Sequence, residues 1–255
     1  MTDSTKALLT QWADKYNDIQ YFTEDPIVFP RHFAEKFRRG ECSRADVEIA
    51  GVVAAHLAWG RRSMIVRDCR RALDEMGWKP YDYVMRGEWR SDPGSLHRTV
   101  KWSEFAQICS RLKDFYSGHD SSFSLEGATE GKALNCLFPT LESLSAKEFR
   151  TAVYGQKPDP KAPDKKINML RRWMTRDDGR VDLGIWKNTD KRSLIIPLDV
   201  HVYEVATALG LTSRRQKDLA TALEITDTFR EIFPEDPCLG DFALFGYGVT
   251  GGNVE

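Results

Sequence analysis

Between Ser43 and Gly60 the chain places Val47, Ile49, Ala50, Val53, Ala54 and Leu57 in one stretch with no turn signal to break it. A helix built from this stretch is apolar over most of its surface, so it has to lie inside other elements rather than on top of them. Helical spacing of apolar residues continues through most of the sequence, β-branched clusters are rare, and turn residues separate the blocks. The expected fold class is all-α, organised around that central helix.

Turn and cap signals place the other helices. Leu8, Leu9, Trp12 and Tyr16 share one face of a helix over 5–18, and Asp25 followed by Pro26 opens a second that Gly40 ends. Further helices are expected over 61–76, 102–116, 130–144, 146–154, 165–176, 215–232 and 237–247. The stretch 79–98 contains Pro80, Gly87, Pro93 and Gly94 and reads as irregular. A proline-rich connector, GQKPDPKAPD, occupies 155–164. No solenoid-type repeat is present. The expectation is one all-α unit over 1–255, with two lobes dividing near the connector and a central cleft between them.

The chain has 255 residues, enough to bury a core, and 41% apolar with 29% charged residues is ordinary for a globular protein. No apolar run is as long as a membrane span, and the opening MTDSTKALLTQWADKYND has acidic and polar residues where a signal peptide has its apolar region. A cytoplasmic monomer without a membrane partner is expected. The five cysteines, Cys42, Cys69, Cys109, Cys136 and Cys238, form no CxxC pair, which suggests buried free thiols rather than a zinc knuckle, a disulfide framework or an iron–sulfur loop.

A net charge of −1 argues against avid, nonspecific nucleic-acid binding. The distribution is uneven, however: residues 31–71 hold ten Lys or Arg against five Asp or Glu, and 157–192 hold eleven against six. Two basic segments on a neutral chain fit either solvated helix faces or a groove for one anionic ligand.

In IIPLDVHVYEVATALGL, at 195–211, Asp199 stands where an apolar extended stretch meets a helix. A carboxylate there can simply cap the helix, or it can stabilise a developing positive charge behind residues that exclude water. Lys166 opens the helix KKINMLRRWM beside Ile167, Leu170 and Trp173. Desolvation would lower the pKa of its amine and make it a nucleophile, whereas a solvated start of the helix would leave it an ordinary cation. Asp199 and His201 form a DxH pair, but they diverge at a helix start and no further ligand cluster lies at metal spacing, so no metal site and no cofactor are expected. His201 is expected to point inward and support the loop that carries Asp199, and Trp186 fits either a base pocket or the core.

PLDVHVYEVATALGL resembles the signature of the helix-hairpin-helix DNA glycosylase superfamily, in which the aspartate is catalytic, and ALFGYG at 243–248 resembles the helix that follows it there. The likeness is nearest to the archaeal 8-oxoguanine DNA glycosylase branch, and aligning its lysine-bearing helix on Met174 brings the catalytic lysine onto Lys166. The chain is also similar to an uncharacterised bacterial family, DUF2400-like, that shares DLGIW (182–186) and IIPLD (195–199). The superfamily's glycine-rich, LPGVGRKT-like hairpin is absent, and WMTRDDGRVDLGIW at 173–186 stands in its place, with Gly179 and Gly184 as its glycines.

The resemblance implies a DNA-repair glycosylase with β-elimination (AP lyase) activity, excising a damaged base such as 8-oxoguanine from double-stranded DNA after base flipping. It implies Lys166 as the nucleophile and Asp199 as the electrostatic partner. Trp59, in the AWGRR turn at 58–62, would fill the vacated stack, with Arg61, Arg62, Arg171 and Arg172 on DNA and Trp186 and His201 around the base. The alternative is a noncatalytic nucleic-acid-binding protein on the same scaffold.

Overall fold

The structure, a computed structural model, describes residues 1–118 and 140–249. It is all-α: eleven α-helices and one short two-stranded hairpin among the described residues. None of these helices is long and apolar enough to cross a membrane. The chain divides into two units, Met1–Ile27 with Asp159–Glu255, and Val28–Pro158. The second boundary falls inside the proline-rich connector, and the first unit takes its opening helix from the N-terminus.

In the Val28–Pro158 unit, α2 (Val28–Arg38) packs on α3 (Arg44–Leu57). Helix α3 is buried at ten positions, from Val47 almost without interruption to Leu57, as its all-round apolar surface demands. Even Glu48 is inside, where it accepts from Arg44 Nε at 2.8 Å and from the Tyr116 hydroxyl at 2.9 Å. A capping box starts the helix: the Ser43 hydroxyl accepts from Asp46 N, and the Asp46 carboxylate accepts from Ser43 N. Ser43→Ala is expected to destabilise this unit by about 1 kcal/mol in urea titration. Asp46→Ala should cost more, because the same carboxylate also accepts from Tyr81 N at 3.0 Å.

Around α3 follow α4 (Arg62–Glu75) and α5 (Pro80–Arg86). The hairpin β1 (Ser95–His97) and β2 (Val100–Lys101) comes next, antiparallel with Ser95 opposite Lys101, and then α6 (Trp102–Ser117) and α7 (Ala146–Ala152). The stretch 79–98 is thus not irregular throughout. Pro80 sits at the start of α5 and Gly87 ends it in the left-handed conformation, so the residues that look like breakers bound a helix. The helix expected over 130–144 lies outside the described residues as far as 139. Its last residues instead form a 3-10 turn, Leu141–Ser143.

In the other unit α1 (Asp3–Tyr16) packs along α11 (Leu239–Val249), with Trp12 stacked on Tyr247 at 4.0 Å between ring centroids. Gly246 permits this approach, since a Cβ there would overlap the ring of Tyr16. Between them in sequence lie α8 (Lys165–Thr175), α9 (Val200–Ala208) and α10 (Leu219–Ile232). Of the cysteines, Cys42, Cys69, Cys109 and Cys238 are described and all are free thiols, three of them buried.

Candidate active site

Lys166 lies in the first turn of α8. The connector delivers the chain to this helix through Asp164, whose backbone is left-handed and whose side chain makes no cap. Asn168 secures the entry instead: its backbone N–H donates to Asp164 O at 2.9 Å and its side-chain amide to Pro163 O at 2.8 Å. Burial, reinforced by the neighbouring charge of Lys165, lowers the Lys166 amine to about 8. The positive end of the helix acts in the same direction. Roughly a tenth of the lysine is then neutral at pH 7, which is the nucleophilic form.

Asp199 is the N-cap of α9, and its Oδ1 accepts from Val202 N at 2.9 Å. Its Oδ2 accepts no hydrogen bond from the described residues. The apolar stretch in front of it is held down: Ile196, Pro197 and Leu198 are buried, and Ile196 N donates to Thr226 Oγ1 at 3.1 Å. Capping therefore uses one oxygen and fixes the direction of the other. Asp199 also acts on Asp241 of α11, whose carboxyl is pushed up to about 6, first by burial and then by the Asp199 charge, against the opposing pull of Arg172.

Arg172 is not a DNA contact. It is 3% exposed, and its Nη1 donates to Asp241 Oδ2 while its Nε stands 3.3 Å from Asp182 Oδ1. Arg176, one turn on, donates to Asp182, to Asp178 at 2.8 Å and to Asp236 at 2.9 Å. Both guanidiniums lie over the ring of Phe242, at 4.5 and 4.8 Å. Two cations of the basic segment 157–192 are thus internal counter-ions, and its surplus does not all reach the surface. Arg171, between them in sequence, is half-buried.

Of the two places open to Trp186 the structure takes the core, and His201 departs from its expected one. Trp186 is 1% exposed and fills the core of its unit, so it leaves no face for a base to stack on. His201 does not point inward: it is exposed on the first turn of α9. The DLGIW part of the segment that stands in the hairpin's place turns its amides inward. Residues 181–186 are buried, and the amides of Leu183 and Trp186 donate to Trp173 O at 2.7 Å and Met174 O at 2.8 Å, closing the C-terminal end of α8.

In the Val28–Pro158 unit, the turn after α3 carries Trp59, Arg61 and Arg62. Arg61 is exposed, and Arg62 and Trp59 are half-buried. The Trp59 ring already has neighbours: Arg98 lies over it at 4.5 Å and His97 meets it edge-on at 5.4 Å. Gly60, at φ +98°, lets Arg98 cross the backbone where a Cβ would collide with its guanidinium. Buried His97 spans from Asp68 Oδ2, at 2.8 Å, to Trp59 O, at 2.9 Å. Asp68 in turn accepts from Arg67 at 2.8 Å and Arg71 at 3.2 Å. Sequence reasoning missed Asp68, His97 and Arg98, because they lie 29 or more residues apart or on a two-strand hairpin with no pattern of its own.

Fold and site together define an all-α protein with a desolvated lysine and a directed carboxylate at the starts of two successive helices of one unit. Residues 25–250 match the family described as protein of unknown function (DUF2400), and the chain belongs to that family. No curated protein and no solved structure matches it.

Proposed function

We propose that the chain is a DNA glycosylase of the helix-hairpin-helix superfamily with associated AP lyase activity, acting on a damaged base in duplex DNA. The observation that carries this reading is Lys166, an amine lowered to about 8 by burial, on the helix that precedes the Asp199 cap. The neutral amine attacks C1′ of the flipped deoxyribose as the C1′–N bond breaks. The base leaves with the bonding pair and takes up a proton, and the amine gives up one. Opening of the sugar ring converts the adduct into an imine, from which loss of a C2′ proton expels the 3′ phosphate by β-elimination. Asp199 Oδ2 stabilises the cationic sugar as it forms, a preorganised electrostatic role. Oxidised purines such as 8-oxoguanine are the first lesions to test. Arg61, Arg62 and half-buried Arg171 are the remaining candidates for phosphate contacts.

Borohydride reduction tests the reading. Incubated with duplexes carrying 8-oxoguanine, other oxidised bases or an abasic site, the protein should give a covalent adduct that Lys166→Gln abolishes. Single-turnover rates should rise about tenfold per pH unit below 8 and level off above it, because deprotonation creates the nucleophile. Duplex binding without an adduct on any lesion would point to the noncatalytic nucleic-acid-binding alternative.

A further inference from the structure

His97, on β1, has no exposed surface, and each of its ring nitrogens meets an oxygen. Nδ1 stands 2.8 Å from Asp68 Oδ2 on α4, and Nε2 stands 2.9 Å from Trp59 O in the turn between α3 and α4. A carbonyl oxygen has no proton to give, so the bond at Nε2 takes its proton from the ring. Asp68 has none to give either. Burial pushes its carboxyl up, but the bonds from Arg67, His97 and Arg71 outweigh burial and hold it below the usual carboxylate range. Both bonds therefore need an N–H on the imidazole, and only the imidazolium has two.

The charged groups around the ring decide which bond survives the loss of a proton. From α4, Asp68 meets the ring and also accepts from Arg67 at 2.8 Å and Arg71 at 3.2 Å. The hairpin adds Arg98, held over the Trp59 ring by a left-handed backbone at φ +53°. Helix α6, which also packs on the hairpin, brings Glu104, whose carboxylate accepts from Lys101 N at 2.8 Å. A neutral ring keeps its proton on Nδ1, because the bond to the Asp68 carboxylate is charge-assisted and the stronger of the two. The bare Nε2 then faces the lone pairs of Trp59 O, and the contact that held the turn becomes repulsive.

We infer that Asp68 and His97 form a proton-operated latch on the turn that carries Trp59 and Arg61: the imidazolium ties Trp59 O to the hairpin, and a neutral ring releases it. A partner that reads the half-buried Trp59 ring and the exposed Arg61 meets a fixed surface in the first state and a mobile one in the second. The latch uses neither Lys166 nor Asp199 and acts in the chain alone, so it stands or falls independently of the glycosylase reading.

The test follows the ring nitrogens and the backbone amides of the ¹⁵N-labelled full chain by NMR from about pH 5 to about pH 9, on either side of the ordinary histidine range. The His97 signals are identified by their loss in His97→Gln. Both ring nitrogens should carry protons at the low end, and Nδ1 alone at the high end. Over the same interval the protection of the Trp59 amide, which donates to Leu57 O at 2.8 Å, should fall about tenfold after correction for the intrinsic exchange rate. Asp68→Asn separates a latch from a fixed brace. Its side-chain amide can donate to Nδ1, so a neutral ring keeps its proton on Nε2 for Trp59 O, and protection at Trp59 should no longer depend on pH. If that variant does not fold, the ring nitrogens of the unsubstituted chain decide. The inference is overturned by a single protonated nitrogen at pH 5, by two at pH 9, or by Trp59 protection that does not follow the ring.

Discussion

Arg172→Met should destabilise the unit that holds α8 by about 3–5 kcal/mol, the range for breaking one partner out of a buried ion network. Methionine keeps much of the volume over Phe242, so the loss is electrostatic rather than a cavity. Arg172 is shared between Asp241 and Asp182, and although Arg176 also donates to Asp182, Asp241 has Arg172 as its ion-pair partner, so the two guanidiniums do not fully offset the desolvation of these carboxylates. The charge of Arg172 is strongly favoured while both carboxyls stand above their usual range, for the same reason. The sign of the pH dependence follows. Asp241 titrates at about 6 in the folded chain against 3.8 ordinarily, so the native state binds a proton that the unfolded state has lost, and stability falls as pH rises through that interval. Removing Arg172 lifts the carboxyl further and extends the interval upward. Urea titrations should therefore find the penalty smaller at pH 5 than at pH 8, and Asp241→Asn in the same chain should recover part of it. An equal penalty at both values would mean that Arg172 stabilises through packing alone.

Arg172 also marks where sequence reasoning stops. Nothing local distinguishes it from Arg171, because its partner Asp241 is 69 residues away and a pairing of that range leaves no trace in a periodic pattern. The DLGIW segment is similar: its apolar character is plain, but its amides turn back onto α8 only because that helix leaves Trp173 and Met174 carbonyls without intrahelical donors. By contrast α3 is legible almost to the residue, since its capping box and its apolar surface are both local properties. Helix α5 is read wrongly for a local reason too, because Pro80 and Gly87 are evidence against a helix interior and equally evidence for its two ends. Asp199 belongs with α3. A cap is set by its own next three residues, so the position of its carboxylate follows from sequence, while its influence on Asp241 depends on how α9 meets α11.

That division gives the second large effect. Asp199→Asn should leave stability nearly unchanged, because asparagine caps a helix about as well as aspartate and can still accept from Val202 N. Asp199→Ala, which loses the cap, should cost about 1 kcal/mol. If Asp199 is only a cap, imine formation at Lys166 will follow stability, with the asparagine variant active and the alanine variant impaired. If its second oxygen stabilises the cationic sugar, both variants should lose about 10²–10³-fold in single-turnover rate, because both lack the charge. The asparagine variant separates the roles, since it removes the charge and keeps the geometry. It should also relieve the carboxyl of Asp241, whose titration would move down from about 6 as the neighbouring negative charge disappears. That shift, read by NMR in the absence of DNA, establishes that the substitution removed the field it was meant to remove. A large loss of rate with the shift present and the unfolding transition intact assigns Asp199 to the chemistry; full activity under the same conditions confines it to the helix.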